Sequence, residues 1–176
     1  MKIKKAFYFW AAASLIVMAL IFWFSSKNSD ESAAMSSSLT QRLFATLLKN
    51  WASSAETVKF INSLETVVRK SAHFIIYTVL GFCVMNTVRY IINDKKRIFL
   101  ISLCWSSFYA VTDEFHQYFV PGRACMWQDW LIDTVGVLCG IGIAFLIVGI
   151  IERNNRNNRD STNGKKNKNR RDYVKT

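Results

Sequence analysis

Residues 113–133, D-E-F-H-Q-Y-F-V-P-G-R-A-C-M-W-Q-D-W-L-I-D, stand between two long apolar stretches and carry four carboxylates, one histidine, one arginine and the chain's single proline. Ionised side chains at membrane depth are costly; they normally face a bundle interior or a water-filled cavity and pair with one another. The segment therefore reads as the end of one helix, a P-G-R turn and the start of another, together supplying half of a polar site. Whether the depth is right depends on the flanks.

Upstream, Ile98 to Tyr118 begins apolar and ends acidic; downstream, Trp130 to Ile151 is apolar, with Gly136, Gly140 and Gly142 offering the small surfaces on which membrane helices pack closely. Residues 93–97, N-D-K-K-R, are too short a connection for anything but a turn between antiparallel neighbours. Before that turn, residues 68–92 form a further span whose charges crowd its first turns, V-V-R-K-S-A-H-F-I-I-Y. The chain opens with M-K-I-K-K and then Ala6–Phe24, apolar except for Ser14, about the length that crosses a hydrocarbon core. It closes on I-F-W-F with no small-x-small site, so it reads as an uncleaved anchor and not a secretory signal. The expected fold is an all-α integral membrane domain over residues 1–151, with four transmembrane helices at about 6–24, 68–92, 98–118 and 130–151.

Two segments lie outside the spans. Residues 25–38 are small and polar, as in a solvated loop, and Leu39, Leu43, Phe44, Leu47, Leu48 and Trp51 then recur at helical spacing. That pattern predicts an amphipathic extracytoplasmic helix between spans one and two, lying in the membrane interface or capping the bundle. Val58, Ile61, Leu64 and Val68 continue the helical spacing toward span two. Residues 152–176 carry nine Lys/Arg among asparagines and read as a basic disordered cytoplasmic tail against an anionic leaflet.

The formal net charge of +11 marks topology and lipid contact, since the apolar residues are gathered in membrane-length blocks; membrane lipids are the expected partners and nucleic acid is not. With four spans, fifteen Lys/Arg fall on the side shared by both termini and the 93–97 turn, against seven on the other, so both termini are expected in the cytoplasm. The four cysteines form no C-x-x-C pair, and no disulfide framework is expected.

Alternating spans bring three separated stretches to the outer face. They carry Arg69, Lys70, His73 and Tyr77; then Asp113, Glu114, His116 and Gln117; then Arg123, Asp129 and Asp133. Residues three or four apart share a helix face, so Asp113 is grouped with His116 and Gln117, and Asp129 with Asp133. His73 and Asp133 each sit about one turn inside a span, which predicts that they pair directly or through Arg69 or Arg123. Any one of these charges alone is accounted for by holding helix ends in register; all of them together, with both histidines of the chain, describe an exoplasmic polar pocket.

Three chemistries fit that pocket. A histidine beside a carboxylate suits general acid–base work, with His73, Asp113, His116 and Asp133 as candidate catalytic groups. Binding the headgroup of a zwitterionic or peptidic molecule needs no reaction at all. A divalent ion is the least favoured, because D-E-x-H lacks the H-E-x-x-H spacing of a zinc helix, and no metal ligand or cofactor is assigned. Nucleophilic catalysis has little support, since no elbow motif surrounds Ser71.

R-K-S-A-H-F-I-I-Y-T-V-L-G at 69–81, D-E-F-H-Q-Y-F-V-P-G-R at 113–123 and D-W-L-I-D-T-V-G at 129–136 together resemble the VanZ-like membrane proteins of bacteria. The resemblance covers spans two to four and marks Arg69, Lys70, His73, Tyr77, Gly81, Asp113, Glu114, His116, Gln117, Gly122, Arg123, Asp129, Asp133 and Gly136 as characteristic positions. It implies a multi-pass protein of a Gram-positive plasma membrane acting at the cell envelope, in a family associated with low-level antibiotic resistance to teicoplanin-type lipoglycopeptides. A lipoglycopeptide or a lipid-linked cell-wall precursor is then the expected partner. Enzyme and binder remain open.

Overall fold

The computed structural model describes residues 2–27, 55–121, 123 and 126–174. Among them the chain is all α, with helices α1 (Lys2–Ser25), α2 (Ala55–Val88), α3 (Lys95–Tyr118) and α4 (Trp127–Val174). Two compact units are distinguished: Met1–Ile141, holding α1 to α3 and the first turns of α4, and Gly142–Thr176, the remainder of α4. The amphipathic helix expected over residues 39–51 lies outside the described residues.

Three stretches are long and apolar enough to cross a membrane: Lys5–Ser25, Thr66–Val88 and Trp127–Asp160. The expected third span, α3, has the length but not the composition. Lys95, Lys96 and Arg97 open it, serines interrupt it and Asp113, Glu114 and Gln117 close it. Beyond the exposed Lys95, Lys96 and Arg97, most of the polar groups are segregated. Ile98, Ser102, Ser106, Ala110, Asp113, Glu114 and Gln117 form its buried stripe, whereas Ile101, Trp105, Phe108, Val111, Phe115 and Phe119 are exposed. An average over the helix mixes two faces that the structure keeps apart.

Boundaries move by a turn or so. The second span is the later part of one long helix already under way at Ala55, and it ends at Val88, four residues before the expected Ile92. The next helix is capped by Asp94, whose carboxylate accepts from the Lys96 and Arg97 amides at 3.4 and 3.3 Å. Ser25, expected to begin a solvated loop, is instead the last residue of α1 and fully buried. It completes an inward stripe with Ser14, Val17 and Ile21, at spacings of three and four residues. At the other end of the chain α4 is helical to Val174, so no break in the backbone marks residue 152. Residues 151–160 are exposed all round, and the stretch after Ile151 has no proline to stop a helix.

The helices of the first unit are joined by polar contacts and close backbones. Tyr109 Oη donates to the Met18 carbonyl at 2.6 Å, linking α3 to α1, while Trp130 Nε1 donates to Ser107 Oγ at 3.2 Å and Thr134 meets Ser107 at 3.1 Å, linking α4 to α3. α2 and α4 approach through glycine. A Cβ at Gly136 would stand 2.6 Å from the Phe74 carbonyl oxygen, one at Gly81 2.5 Å from that of Val137, and one at Gly140 would collide with that of Thr78. Of the three glycines expected to pack, Gly136 and Gly140 do so; Gly142 belongs to the second unit.

Candidate functional site

The close approach of α2 and α4 positions the site. Gly136 lies against Phe74, and the residues on either side of that contact are His73 on α2 and Asp133, one helical turn earlier on α4. His73 Nδ1 stands 3.8 Å from Asp133 Oδ1, so the expected pair meets directly. One turn outward, Lys70 Nζ reaches Asp129 Oδ1 at 2.7 Å, with both side chains about one-third exposed. Spacings of three residues on α2, 70 to 73, and four on α4, 129 to 133, keep each pair on one helix face and set a partly solvated ion pair one turn from the more deeply buried His73–Asp133 approach.

α3 supplies the facing wall. Gln117 Nε2 donates to Asp113 Oδ2 at 3.0 Å, an i, i+4 contact, and lies 3.3 Å from Ser25 Oγ of α1. Glu114 Oε2 accepts from the Met126 amide at 3.1 Å, tying α3 to the residue that precedes α4. The turn carries Arg123, which donates to the Phe24 carbonyl at 3.3 Å. Burial lowers the pKa of Arg123 and the like charge of Arg69 acts in the same direction, against Asp113 and Glu114. Two guanidinium groups that repel across a recess favour an anion between them.

A cavity of about 160 Å³ opens among these groups. Its walls are Arg69, Lys70 and His73 from α2, Glu114 and Gln117 from α3, Arg123 and Met126 from the turn, and Asp129, Ile132 and Asp133 from α4. Beneath it, Asp133 is fully buried and neither of its carboxylate oxygens accepts a hydrogen bond. Asp113 Oδ1 is in the same condition. Tyr77, also fully buried, brings its hydroxyl toward Asp113 without completing a well-formed hydrogen bond. Buried polar atoms in this number at one place are uncommon, because each normally finds a partner.

Most of the predicted residues converge, but His116 does not line the cavity. Its ring stacks on Phe22 with centroids 4.5 Å apart, and Nε2 lies 3.1 Å from Ser26 Oγ, so it docks against α1. The reason is angular. Positions i+3 and i+4 lie about 100° apart around a helix at 3.6 residues per turn. Gln117 therefore follows Asp113 inward and His116 turns aside. Gly122 and Cys125 lie outside the described residues. Conversely, Ser25, Met126 and Ile132 adjoin the site without having been predicted. Only Ser25 had a visible signal, a hydroxyl four residues after Ile21 on the stripe begun by Ser14. Metal-ligand chemistry, least favoured from spacing within one helix, reappears between helices, for ligand atoms of His73, Asp113 and Asp133 all lie within 4.8 Å of one another.

A helical membrane-type protein with a mixed-charge cavity framed by three of its helices is the class that these features define. The VanZ/LLP1 family model matches residues 9–148, and the chain belongs to that family. No curated protein and no solved structure matches it.

Proposed function

We propose that the chain crosses a Gram-positive plasma membrane four times with both termini in the cytoplasm, and that its cavity faces outward and engages the polar part of an envelope amphiphile. That amphiphile is a lipoglycopeptide or a lipid-linked wall precursor. Support for α3 as a span comes from its 24 residues, about 36 Å at 1.5 Å per residue, and from an exposed face that beyond Arg97 is mostly apolar, with Leu100, Ile101, Trp105, Phe108, Val111 and Phe115. The excess of Lys/Arg on the side of the termini supports the orientation, with residues 152–176 as a basic cytoplasmic tail.

The observation that carries the binding role is a cavity of about 160 Å³ with cationic and anionic walls. It is smaller than the clefts of roughly 300–1,000 Å³ that swallow a drug-sized ligand, and so suits one headgroup whose apolar part stays in lipid. Arg69, Lys70 and Arg123 take anionic groups; Glu114 and Asp129 take ammonium groups; Asp113 and Asp133 orient His73 and, with Tyr77 and Gln117, form the floor. Susceptibility of a deletion strain carrying wild-type or variant genes, measured across teicoplanin, vancomycin and a lipopeptide, tests this. Protection that depends on the antibiotic's lipid tail and disappears in Arg69→Gln and Asp133→Asn at equal expression is expected. Unchanged susceptibility in both variants would remove the cavity from the function.

The approach of His73 to Asp133 at 3.8 Å favours a second reading, a membrane-embedded enzyme in which His73 acts as base on a lipid or surface polymer. Purified protein incubated with extracted envelope lipids then yields a new species by mass spectrometry. Its absence under conditions that preserve headgroup binding returns the cavity to a binding role.

A further inference from the structure

We infer that the floor of the cavity binds a divalent first-row transition cation, Zn²⁺ foremost, through His73 of α2, Asp113 of α3 and Asp133 of α4. Two independent observations lead there. The first is convergence: one ligand atom from each of these residues falls within 4.8 Å of the others, although they come from three different helices. The second is want of partners. Asp133 is fully buried with both carboxylate oxygens free of hydrogen bonds, and Asp113 keeps Oδ1 in the same state. His73 Nδ1 approaches Asp133 Oδ1 only to 3.8 Å, beyond hydrogen-bond length.

Two buried carboxylates converging on one imidazole concentrate negative charge where the dielectric is low, and leaving both oxygens of Asp133 and Oδ1 of Asp113 without partners is expensive. A dication bound between them neutralises both and uses the lone pairs that no protein donor reaches. The donor set selects the ion. One imidazole nitrogen and two carboxylate oxygens are a borderline N/O site that suits Zn²⁺ or Mn²⁺ better than Mg²⁺ or Ca²⁺, which prefer oxygen alone. Four-coordinate zinc at about 2.0–2.2 Å per bond sets its ligands roughly 3.3–3.6 Å apart, so a triangle whose atoms lie within 4.8 Å of one another need contract by at most about 1.5 Å, within the reach of side-chain rotation. With three protein ligands, a fourth coordination position remains, and the cavity lies on the side of Arg69 and Arg123. An ion here therefore presents its open position to an oxyanion that those guanidinium groups also attract.

The inference stands on the cavity floor and not on the identity of the amphiphile, and its test separates the two. Full-length protein in detergent is stripped with a chelator, dialysed, loaded with Zn²⁺ and assayed for metal content, and the same protein is titrated with Co²⁺ by absorption spectroscopy. About one equivalent of zinc per chain is expected, retained against a hundredfold excess of Mg²⁺ and Ca²⁺. Cobalt should give d–d bands without a thiolate charge-transfer band. Affinity should fall at least tenfold in His73→Gln and in Asp133→Asn, and stay unchanged when Cys83, Cys104, Cys125 and Cys139 are all replaced by Ser. Substoichiometric zinc in the wild type, displacement by Mg²⁺, a thiolate band, or full zinc content in both cavity variants would each overturn the proposal. Should Asp133→Asn fail to fold, Asp113→Asn and the wild-type cobalt spectrum carry the same decision. Loss of zinc binding with drug protection intact would separate the metal site from the amphiphile site.

Discussion

Replacing Gly136 by Ala tests the structural premise of the whole site, the backbone-to-backbone approach of α2 and α4. The added Cβ would lie 2.6 Å from the Phe74 carbonyl oxygen, and ordinary contact begins near 3.4 Å. Relaxing it by rigid separation parts the two helices by about 0.8 Å, the difference between those distances. His73 adjoins Phe74, so the same displacement lengthens its 3.8 Å approach to Asp133. Overpacking of this kind typically costs about 1–3 kcal/mol, and a membrane interior offers no hydrophobic gain in return for the added methyl. The assay is equilibrium unfolding of the purified protein in mixed micelles with increasing SDS. A loss of about 1–3 kcal/mol is expected for Gly136→Ala and a larger loss for Gly140→Ala, whose Cβ meets the Thr78 carbonyl more closely. Val135→Leu, an enlargement at an exposed neighbouring position, should stay within about 0.5 kcal/mol of wild type. Stability of Gly136→Ala indistinguishable from that of Val135→Leu would refute the close approach, and with it the account of how His73 meets Asp133.

Breaking the outer ion pair with Lys70→Gln should cost no more than about 1 kcal/mol, because both partners are about one-third exposed, and the loss should shrink in high salt; a double-mutant cycle with Asp129→Asn measures it. Removing the acceptor in Glu114→Ala should speed hydrogen exchange at the Met126 amide by roughly tenfold, the equivalent of one lost charge-assisted bond, and exchange mass spectrometry reads that site directly. His116→Ala should lower stability by about 1 kcal/mol through the lost contact with Phe22 and Ser26 while leaving zinc content unchanged, which sets it apart from His73→Gln.

Much of this protein is legible in its sequence because a bilayer imposes coarse, length-based rules. Ala6–Phe24 and Trp130–Ile151 are runs of apolar residues of membrane length, and no partner is needed to read them as spans. α3 was harder. Its average composition is unexceptional, and only its burial shows serines and acids on one side with Trp105, Phe108 and Phe115 on the other. Helix ends are hard to place where propensity is silent: S-S-K reads as a loop, and although Ser25 falls on the stripe begun by Ser14, it is Gln117 beside it that makes it the last buried turn of α1.

The segment at 113–133, by itself, determines that expensive polar groups occur between two apolar helices and so demand partners. The expectation of alternating spans narrows those partners to Arg69, Lys70 and His73. What only the tertiary structure decided is which of them touch, because that depends on angles around helices and distances between axes that no one-dimensional spacing contains. Glycine at 136 lets α4 close on Phe74 and brings Asp133 to His73. A 100° difference around α3 keeps Gln117 in the cavity and sends His116 to α1. The ligand triangle of His73, Asp113 and Asp133 is a property of three helices at once, invisible to any search for ligands spaced along one.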